Sequence, residues 1–388
     1  MNITDPDYGK PLLRGVRYCV RCCMPESNEG VQFDEMGICF ACQSSEHKIR
    51  INWVEREKEL RRVLDYYRSL NRDYDCIIPI SGGKDSAFQL HVLTKVYGMR
   101  ALAVTFSHTW FSETGKYNLQ NCLEKFDVDH IMFSPSKTLV NKLARQSLFK
   151  IGDACWTCHS GVGSFPLQIA VKYHIPLLVW GEPVAENSGR ETYRNPVLRK
   201  FDRDHFTKAS AKMYPEQMVN ENISMRELCG FRLPSPEEME SEEIVGIHLG
   251  DYMFWDEERQ VEFLKTTYDW REDKIDGTYK GYKSVECRMS GVHDWTKFLK
   301  RGFGRATDHA SADVRAGLLT REEAFELAKQ YDTERPPSLD YYLQISGFTE
   351  EEFNAVMAQH RRNLGIEHLS DENFTAAVEA YRKKQATA

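Results

Sequence analysis

The hexapeptide Ser81-Gly82-Gly83-Lys84-Asp85-Ser86 carries the clearest chemical pattern in the chain, between an apolar run and an apolar helix-like pattern. Its two glycines allow a tight turn with exposed backbone N–H groups, Lys84 supplies a mobile positive charge, and the serines supply hydroxyl donors. A helix starting near Asp85 adds the positive end of its dipole. The segment therefore predicts a turn that binds an anion. The Walker pattern G-x-x-x-x-G-K-[ST] is absent, so the predicted turn is a shorter one.

Two Cys-x2-Cys pairs near the N-terminus, Cys19/Cys22 and Cys39/Cys42, predict a metal site. The pairs lie in turn-rich sequence and are typical of a zinc ribbon, in which four thiolates close a tetrahedral structural site. Cys23 is left over, because the spacing from Cys19 to Cys22 is the better match. A disulfide framework is not expected for the eleven cysteines of a chain predicted to be cytoplasmic.

A third group of reactive side chains lies in the segment SGVHDWTKFLKRGFGRATDHAS, residues 290–311. The charged and imidazole side chains of this segment include His293, Asp294, Lys297, Arg301, Arg305, Asp308 and His309. Gly302 and Gly304 stand among them and indicate a loop close to a ligand. A solvated helix followed by a turn is the alternative interpretation.

The elements that must position these groups are predicted to form a parallel sheet. Apolar strands without alternation are predicted at 76–80, 101–106, 130–133 and 176–180, separated by helices at 86–96, 116–125 and 161–173. Such strands are buried on both faces. In sheets of this kind the ligand lies beyond the carboxyl ends of the strands, where the hexapeptide stands. The predicted fold class is α/β, with a parallel doubly wound sheet, an N-terminal zinc ribbon and a helical C-terminal region.

We divide the chain into a zinc-ribbon-like region at residues 1–52, a sheet domain at 53–250, and a substrate-binding and helical region at 251–388. The pattern beyond residue 310 is helical. Thr320 and Thr349 each begin a capping box, with a glutamate three residues on.

Composition indicates a cytoplasmic enzyme. The formal net charge is -7 and the pI is about 6.0, which argues against nucleic acid or an anionic membrane as the partner, because both favour basic faces. The N-terminus lacks the apolar core of a signal peptide, and no window approaches the length of an apolar membrane span.

The hexapeptide resembles the pyrophosphate loop of the PP-loop ATP pyrophosphatases, which adenylate a substrate and release magnesium pyrophosphate. The resemblance implies that Ser81–Ser86 hold the polyphosphate of ATP, with Lys84 and Asp85 catalytic and Asp85 near Mg2+. It also implies that Val104 to Phe106 hold adenine and that Gly181 and Glu182 line the same pocket.

Over most of its length, through the ribbon, the hexapeptide and residues 290–311, the chain resembles N-acetyl sugar amidotransferases of bacterial surface-polysaccharide synthesis. The resemblance implies adenylation of the acetamido oxygen of an N-acetylated nucleotide sugar, followed by addition of ammonia. His293 and Asp294 are then expected to be catalytic. Residue 2 is Asn and no cysteine has a G-x-C-x-G context, so no glutaminase nucleophile is visible. The family implies a glutaminase and a cyclase-like partner that deliver ammonia.

A second resemblance keeps another function open. Cys155-Trp-Thr-Cys158-His is similar to the Cys-x2-Cys of tRNA thiolases, which works with a later third cysteine. Cys229 or Cys287 is the candidate third ligand here, for an iron–sulfur cluster or a persulfide. A second structural metal site and free core thiols are the other interpretations of the pair.

Overall fold

The structure is a computed structural model that describes residues 6–183, 185, 193, 199–200 and 207–387. In this part of the chain a six-stranded sheet has the order β3-β2-β1-β4-β6-β5. The strands are β1 Cys76–Pro79, β2 Ala101–Phe106, β3 Asp129–Phe133, β4 Leu177–Trp180, β5 Arg199–Lys200 and β6 Val245–His248. All neighbouring pairs are parallel except β5 and β6, which are antiparallel. The predicted α/β fold with a parallel sheet is confirmed, and the antiparallel strand β5 is an addition to it.

Helices follow or precede most strands and make up the C-terminal region. The described α-helices are α1 Phe40–Lys48, α2 Trp53–Ser69, α3 Lys84–Leu90, α4 Glu113–Phe126, α5 Lys137–Ile151, α6 Trp156–Lys172, α7 Pro236–Ser241, α8 Glu257–Tyr268, α9 Ser290–Arg301, α10 Arg305–Arg315, α11 Arg321–Asp332, α12 Ser338–Ser346, α13 Glu350–Arg362 and α14 Asp371–Thr387. Helix α3 continues as a π-helical segment at His91–Val96. None of the helices within the described ranges is long and apolar enough to cross a bilayer.

The sheet separates two hydrophobic cores because successive side chains of a strand point to opposite faces. Ile78 of β1 packs in a core with α2, α3 and α8, whereas its neighbour Ile77 packs in a second core with α6. Strand β2 is buried along its whole length. Burial on both faces explains why these strands read as continuous apolar runs.

The C-terminal helices form a third core that is joined to α5. Tyr342 of α12 is fully buried in this core and donates a hydrogen bond to the carbonyl oxygen of Ala144 in α5, at 3.1 Å. The two predicted capping boxes, at Thr320 and Thr349, both form. They fix the first turns of α11 and α13.

The N-terminal segment that holds the four paired cysteines, residues 19–42, is called the cysteine region here. It packs on α10 and α11. Phe303 lies in the hydrophobic cluster of the four paired cysteines. Arg321 donates to the carbonyl oxygens of Cys19 and Cys22 at 2.9–3.1 Å. The cysteine region is therefore fastened to the C-terminal helices.

The structure adds several elements that the sequence analysis did not assign, and two of them bear directly on the sheet region. Helix α5 spans residues 137–151, and β6 lies at residues 245–248 beside β4. The predicted helix at 161–173 begins earlier, at Trp156. The domain limits at residues 52 and 250 stay predictions; the first falls just before α2, and the second lies in a 3-10 turn after β6.

Candidate active site

A cleft of about 2030 Å³ lies at the carboxyl ends of the parallel strands. The ends of β1, β2 and β4 form its floor through Ile80, Val104 and Trp180. The phosphate turn, residues 81–86, forms one side, and α9, α10 and the cysteine region form the other. The hexapeptide, the cysteine region and the charged segment 290–311 thus meet in one place.

The phosphate turn has the backbone that its glycines suggest. Gly82 has a φ of +86°, and a Cβ at this position would lie 2.8 Å from the carbonyl oxygen of Gly115. Gly83 forms the N-cap of α3. Its N–H donates to the Ser81 hydroxyl at 3.3 Å, and the Ser86 hydroxyl donates to the Gly83 carbonyl oxygen at 3.0 Å. The turn is a fixed scaffold of small residues and hydroxyls.

Lys84 is buried at the centre of three carboxylates. Its Nζ lies 2.6 Å from Asp85, 3.3 Å from Glu257 and 3.9 Å from Glu182. Burial alone would lower the pKa of Lys84, but these carboxylates outweigh it and hold that pKa above its usual value. The ammonium is therefore charged and held at the phosphate turn.

The three carboxylates also suit a divalent cation. Oxygen atoms of Asp85, Glu182 and Glu257 lie within 4.8 Å of one another. Enclosure in the cleft, and the Asp85 charge beside it, raise the pKa of Glu182 to about 8. Carboxylate oxygens are the ligands that Mg2+ prefers, so this donor set fits the magnesium implied by the resemblance.

The segment between α8 and α9 covers the phosphate turn. The Trp270 indole donates to the carbonyl oxygen of Gly82 at 3.0 Å, and Lys283 forms an ion pair with Glu257. A Cβ on Gly83 would lie 3.2 Å from Oε2 of Glu286, an atom without a hydrogen-bond partner among the described residues. Sequence reasoning missed Glu257, Lys283 and Glu286 because no local pattern links them to the turn.

The positions expected to contact adenine lie along the same floor. Val104 and Phe106 line the cleft at the end of β2. Glu182 lines it after β4, whereas Gly181 packs behind, where a Cβ would lie 2.8 Å from the Trp255 ring. The roles of these residues in binding ATP stay predictions.

Deeper in the cleft, His293 forms a pair with Asp153. The Nδ1 atom of His293 lies 3.0 Å from Oδ1 of Asp153, and its ring lies 5.2 Å from the ring of His159. Burial would raise the pKa of Asp153, but the His293 imidazole outweighs it and holds that pKa well below its usual range. Burial, with His293 alongside, lowers the pKa of His159 to about 4. Asp153 was not singled out from the sequence.

Helix α9 directs one face into the cleft. The cleft-lining residues of this helix are His293, Thr296, Lys297, Lys300 and Arg301. Their spacing of three and four residues places them on one stripe of an α-helix. The helix is amphipathic, with Val292 and Phe298 buried in the third core.

Asp294 lies behind this face. Its carboxylate is buried and accepts from Nε of Arg305, whose Nη1 also donates to the Ser284 hydroxyl at 2.6 Å. Arg305 lines the cleft, whereas Asp294 does not. Asp294 therefore contacts the cleft through Arg305. Asp308 forms an ion pair with Lys297. The Nδ1 atom of His309 lies at hydrogen-bond distance, 2.7 Å, from the Thr278 hydroxyl.

Cys287 lies near enough to the third cysteine pair to affect its thiols electrostatically. Cys155 is buried at the start of α6, and Cys158 lies one turn on. Burial raises the pKa of all three thiols, that of Cys158 to about 12, and Cys287 adds to the shift at Cys155. Cys229, the other candidate third ligand, is exposed. The Cys155 sulfur also lies within 4.8 Å of donor atoms of Asp153 and His293.

The four cysteines of the N-terminal region form a tetrahedral group. The Sγ atoms of Cys19 and Cys42 are 3.9 Å apart, and those of Cys22 and Cys39 are 3.7 Å apart. Zn–S bonds of about 2.3 Å give tetrahedron edges of about 3.8 Å, so this donor set fits zinc. Cys23 instead lies 3.1 Å from the Ser311 hydroxyl.

Two comparisons find distant similarity. A stretch of 108 residues, 28% of this chain, is 24% identical to an uncharacterised protein of Methanocaldococcus jannaschii, and it spans only 39% of that protein. A solved structure of the U34-tRNA thiolase NcsA from Methanococcus maripaludis, with its [4Fe-4S] cluster, aligns with a TM-score of 0.32. That alignment has 13% identity and covers 80% of this chain and 88% of the thiolase. At that score we draw nothing about activity from the likeness.

A third comparison concerns the C-terminal region. Residues 276–386 match the family described as the C-terminal domain of WbpG-like LPS biosynthesis proteins. This match includes the stripe of α9, with Lys283 and Glu286 at the phosphate turn. Residues 276–386 are therefore similar to the C-terminal domain of WbpG-like proteins, and this match supports the family resemblance found in the sequence.

Proposed function

We propose that the chain is an ATP-dependent amidotransferase of lipopolysaccharide and O-antigen biosynthesis. It converts the acetamido group of an N-acetylated nucleotide sugar into an acetamidino group and releases AMP and pyrophosphate. The observation that carries the proposal is the shared cleft, where the phosphate turn faces Glu286 and His293 of the WbpG-like domain. An adenylation site and a site for a surface-polysaccharide precursor then share one reaction volume.

In the first step the phosphate turn holds ATP while the acetamido oxygen attacks its α-phosphate. The P–O bond to the leaving pyrophosphate breaks, the amide N–H proton is released to solvent, and an O-adenylyl imidate forms. Lys84 and the exposed N–H groups of the turn stabilise the charge on the departing phosphates. Asp85, Glu182 and Glu257 would hold Mg2+, which would supply further neutralisation of the phosphate charge.

In the second step ammonia adds to the imidate carbon and the C–O bond to AMP breaks. The added nitrogen must lose a proton before the amidine forms. His293 accepts it, and the Asp153 carboxylate behind the ring stabilises the imidazolium. Asp294 has a positioning role, because it holds Arg305 at the cleft wall.

Ammonia comes from outside the chain in this proposal. A glutaminase and a cyclase-like partner supply it, as the family resemblance implies. Free ammonium at high concentration replaces these partners in vitro.

The test uses the purified chain with ATP, Mg2+, ammonium chloride and UDP-N-acetylated sugars. AMP and pyrophosphate should appear only when an N-acetylated sugar is present. Replacing an amide oxygen by NH lowers the sugar mass by about one unit, which mass spectrometry resolves. ATP cleavage without this mass change would contradict the proposal.

A tRNA thiolation function is the second candidate, and the electrostatic interaction of Cys287 with Cys155 and Cys158 supports it. Three thiols beside an adenylation site, one buried and two partly buried, suit an iron–sulfur cluster. Anaerobic purification with metal and sulfide analysis separates the candidates. Iron with sulfide, together with sulfur transfer to tRNA, would replace the amidotransferase proposal, whereas zinc alone would agree with it.

A further inference from the structure

Beyond His293, the stripe of α9 ends in a cluster of buried cations. Lys300 and Arg301 are only 7% and 8% exposed, although both line the cleft. Lys212 is more exposed, with 32% of its side chain accessible, and its Nζ lies 2.6 Å from Oε2 of Glu29. Arg301 pairs with Oε1 of the same glutamate. Lysine and arginine are rarely buried so deeply without full pairing.

The positive charge of this cluster exceeds its negative charge. Glu29 is shared by Lys212 and Arg301, and the nearby Asp153 is already paired with His293. Lys300 donates to carbonyl oxygens of Ile151 and Gly152, at 2.9 and 3.3 Å, which are neutral partners.

Two further observations favour the binding of an anion at this cluster. Burial, together with the Arg301 charge beside it, lowers the pKa of Lys300 to about 8. The Nε atom of Arg301 is buried and has no acceptor among the described residues. An anion between these groups would pair the free donor and offset the repulsion between the cations.

We propose that Lys212, Lys300 and Arg301 form a binding site for the diphosphate group of the acceptor. The identification of this diphosphate with that of a sugar substrate rests on the proposed function. Arg301 lies eight residues beyond His293, about 12 Å along the helix. A diphosphate at Arg301 therefore leaves the attached sugar over His293, with its acetamido group towards the phosphate turn.

Two kinds of acceptor carry a diphosphate that this site could bind, a nucleotide sugar and a lipid-linked sugar. UDP, inorganic pyrophosphate and farnesyl diphosphate serve as probes. Binding is measured by calorimetry on the full chain, with a saturating non-hydrolysable ATP analogue to fill the phosphate turn. Tighter binding of UDP than of farnesyl diphosphate assigns a nucleotide carrier, and the reverse assigns a lipid carrier.

Charge-changing variants test the site itself. Arg301→Gln and Lys212→Gln should each weaken diphosphate binding by about tenfold or more, the effect of losing a charge-assisted hydrogen bond. Glu29→Gln should strengthen it, because it removes the competing carboxylate. Arg259→Gln is the matched control, since Arg259 lines the cleft but is highly exposed.

A purely structural role of the cluster makes the opposite prediction for Glu29. If Glu29 and Arg301 only fasten the cysteine region to α9, both variants should weaken binding together and lower the melting temperature. Unchanged binding in Arg301→Gln and Lys212→Gln would overturn the site even if amidine formation is observed. Charge-dependent binding without amidine formation would keep the site and reject the proposed function.

Discussion

The imidazole of His293 and the carboxylate of Asp153 lie 3.0 Å apart across 140 residues of sequence. Asp153 stands in the turn before α6, and His293 lies in the first turn of α9. Both line the cleft that holds the phosphate turn. The pair joins the sheet region to the WbpG-like domain at the point where the amidation step is proposed.

Asp153→Asn should slow amidine formation by about a hundredfold while ATP binding is retained. An amide cannot stabilise the charged imidazolium that proton transfer creates. The measurement is the rate of product formation at saturating ATP and ammonium, followed over pH. The loss should be larger in kcat than in KM, because the substrate is still bound.

Hydroxylamine provides a control for this role. It is a weaker base than ammonia and is neutral at pH 7, so its addition depends less on proton removal by the enzyme. Asp153→Asn should therefore recover part of its rate with hydroxylamine. Equal losses with both nucleophiles would indicate a structural role for Asp153.

Lys84→Ala should reduce substrate-dependent pyrophosphate release by at least about a hundredfold, because the cation that stabilises the leaving group is lost. Lys116→Ala is the matched control, since Lys116 is exposed on α4. Melting curves of both variants check the fold. Unchanged pyrophosphate release in Lys84→Ala would reject the role of the turn.

Asp332 should give the protein a pH-dependent stability near neutrality. Burial raises the pKa of this carboxyl to about 7, although hydrogen bonds from Thr307 oppose the shift. A carboxyl with a raised pKa in the folded state binds its proton more tightly there than in the unfolded chain. The contribution of this group to the free energy of unfolding is therefore fully present below about pH 4, and it is lost as the pH rises through about 7.

Asp332→Asn should flatten this part of the melting profile. Asn retains one oxygen, which can replace Oδ1 as the acceptor for the backbone N–H of Ala306 at 2.9 Å, whereas the Thr307 N–H, which Oδ2 accepts at 3.3 Å, loses its acceptor at every pH. Thermal melting between pH 4 and pH 8 is the measurement. A slope equal to that of the unmodified chain would show that Asp332 does not titrate in this range.

Local patterns predicted four of the six strands of the sheet, the phosphate turn and the paired cysteines. The strand at 101–106 has the predicted limits, and the phosphate turn follows β1 as expected. Each of these features is encoded by residues that are adjacent in the sequence, so the sequence alone indicates it. Helix α5 also had a readable signal, since its buried residues Leu139, Val140, Leu143 and Ala144 have helical spacing.

The remaining parts of the site depend on packing between distant segments. Glu257, Lys283 and Glu286 reach the phosphate turn because the chain around Trp270 folds over Gly82. No spacing rule connects these positions. The stripe from His293 to Arg301 is an intermediate case, because helical periodicity gives its face but not the surface it meets.

Cys39→Ser should remove most of the zinc from the protein, which we expect to hold about one ion per chain at Cys19, Cys22, Cys39 and Cys42. The four sulfur atoms form a tetrahedral group, and a site of this kind contributes its metal-binding free energy to folding. Zinc content and the melting temperature should fall together.

Cys23→Ser is the matched control for that experiment. Cys23 is equally buried and adjacent to Cys22, but its sulfur lies beside the Ser311 hydroxyl and outside the metal group. It should therefore keep its zinc. Full zinc content in Cys39→Ser, or an equal loss in Cys23→Ser, would contradict the assignment of the four ligands.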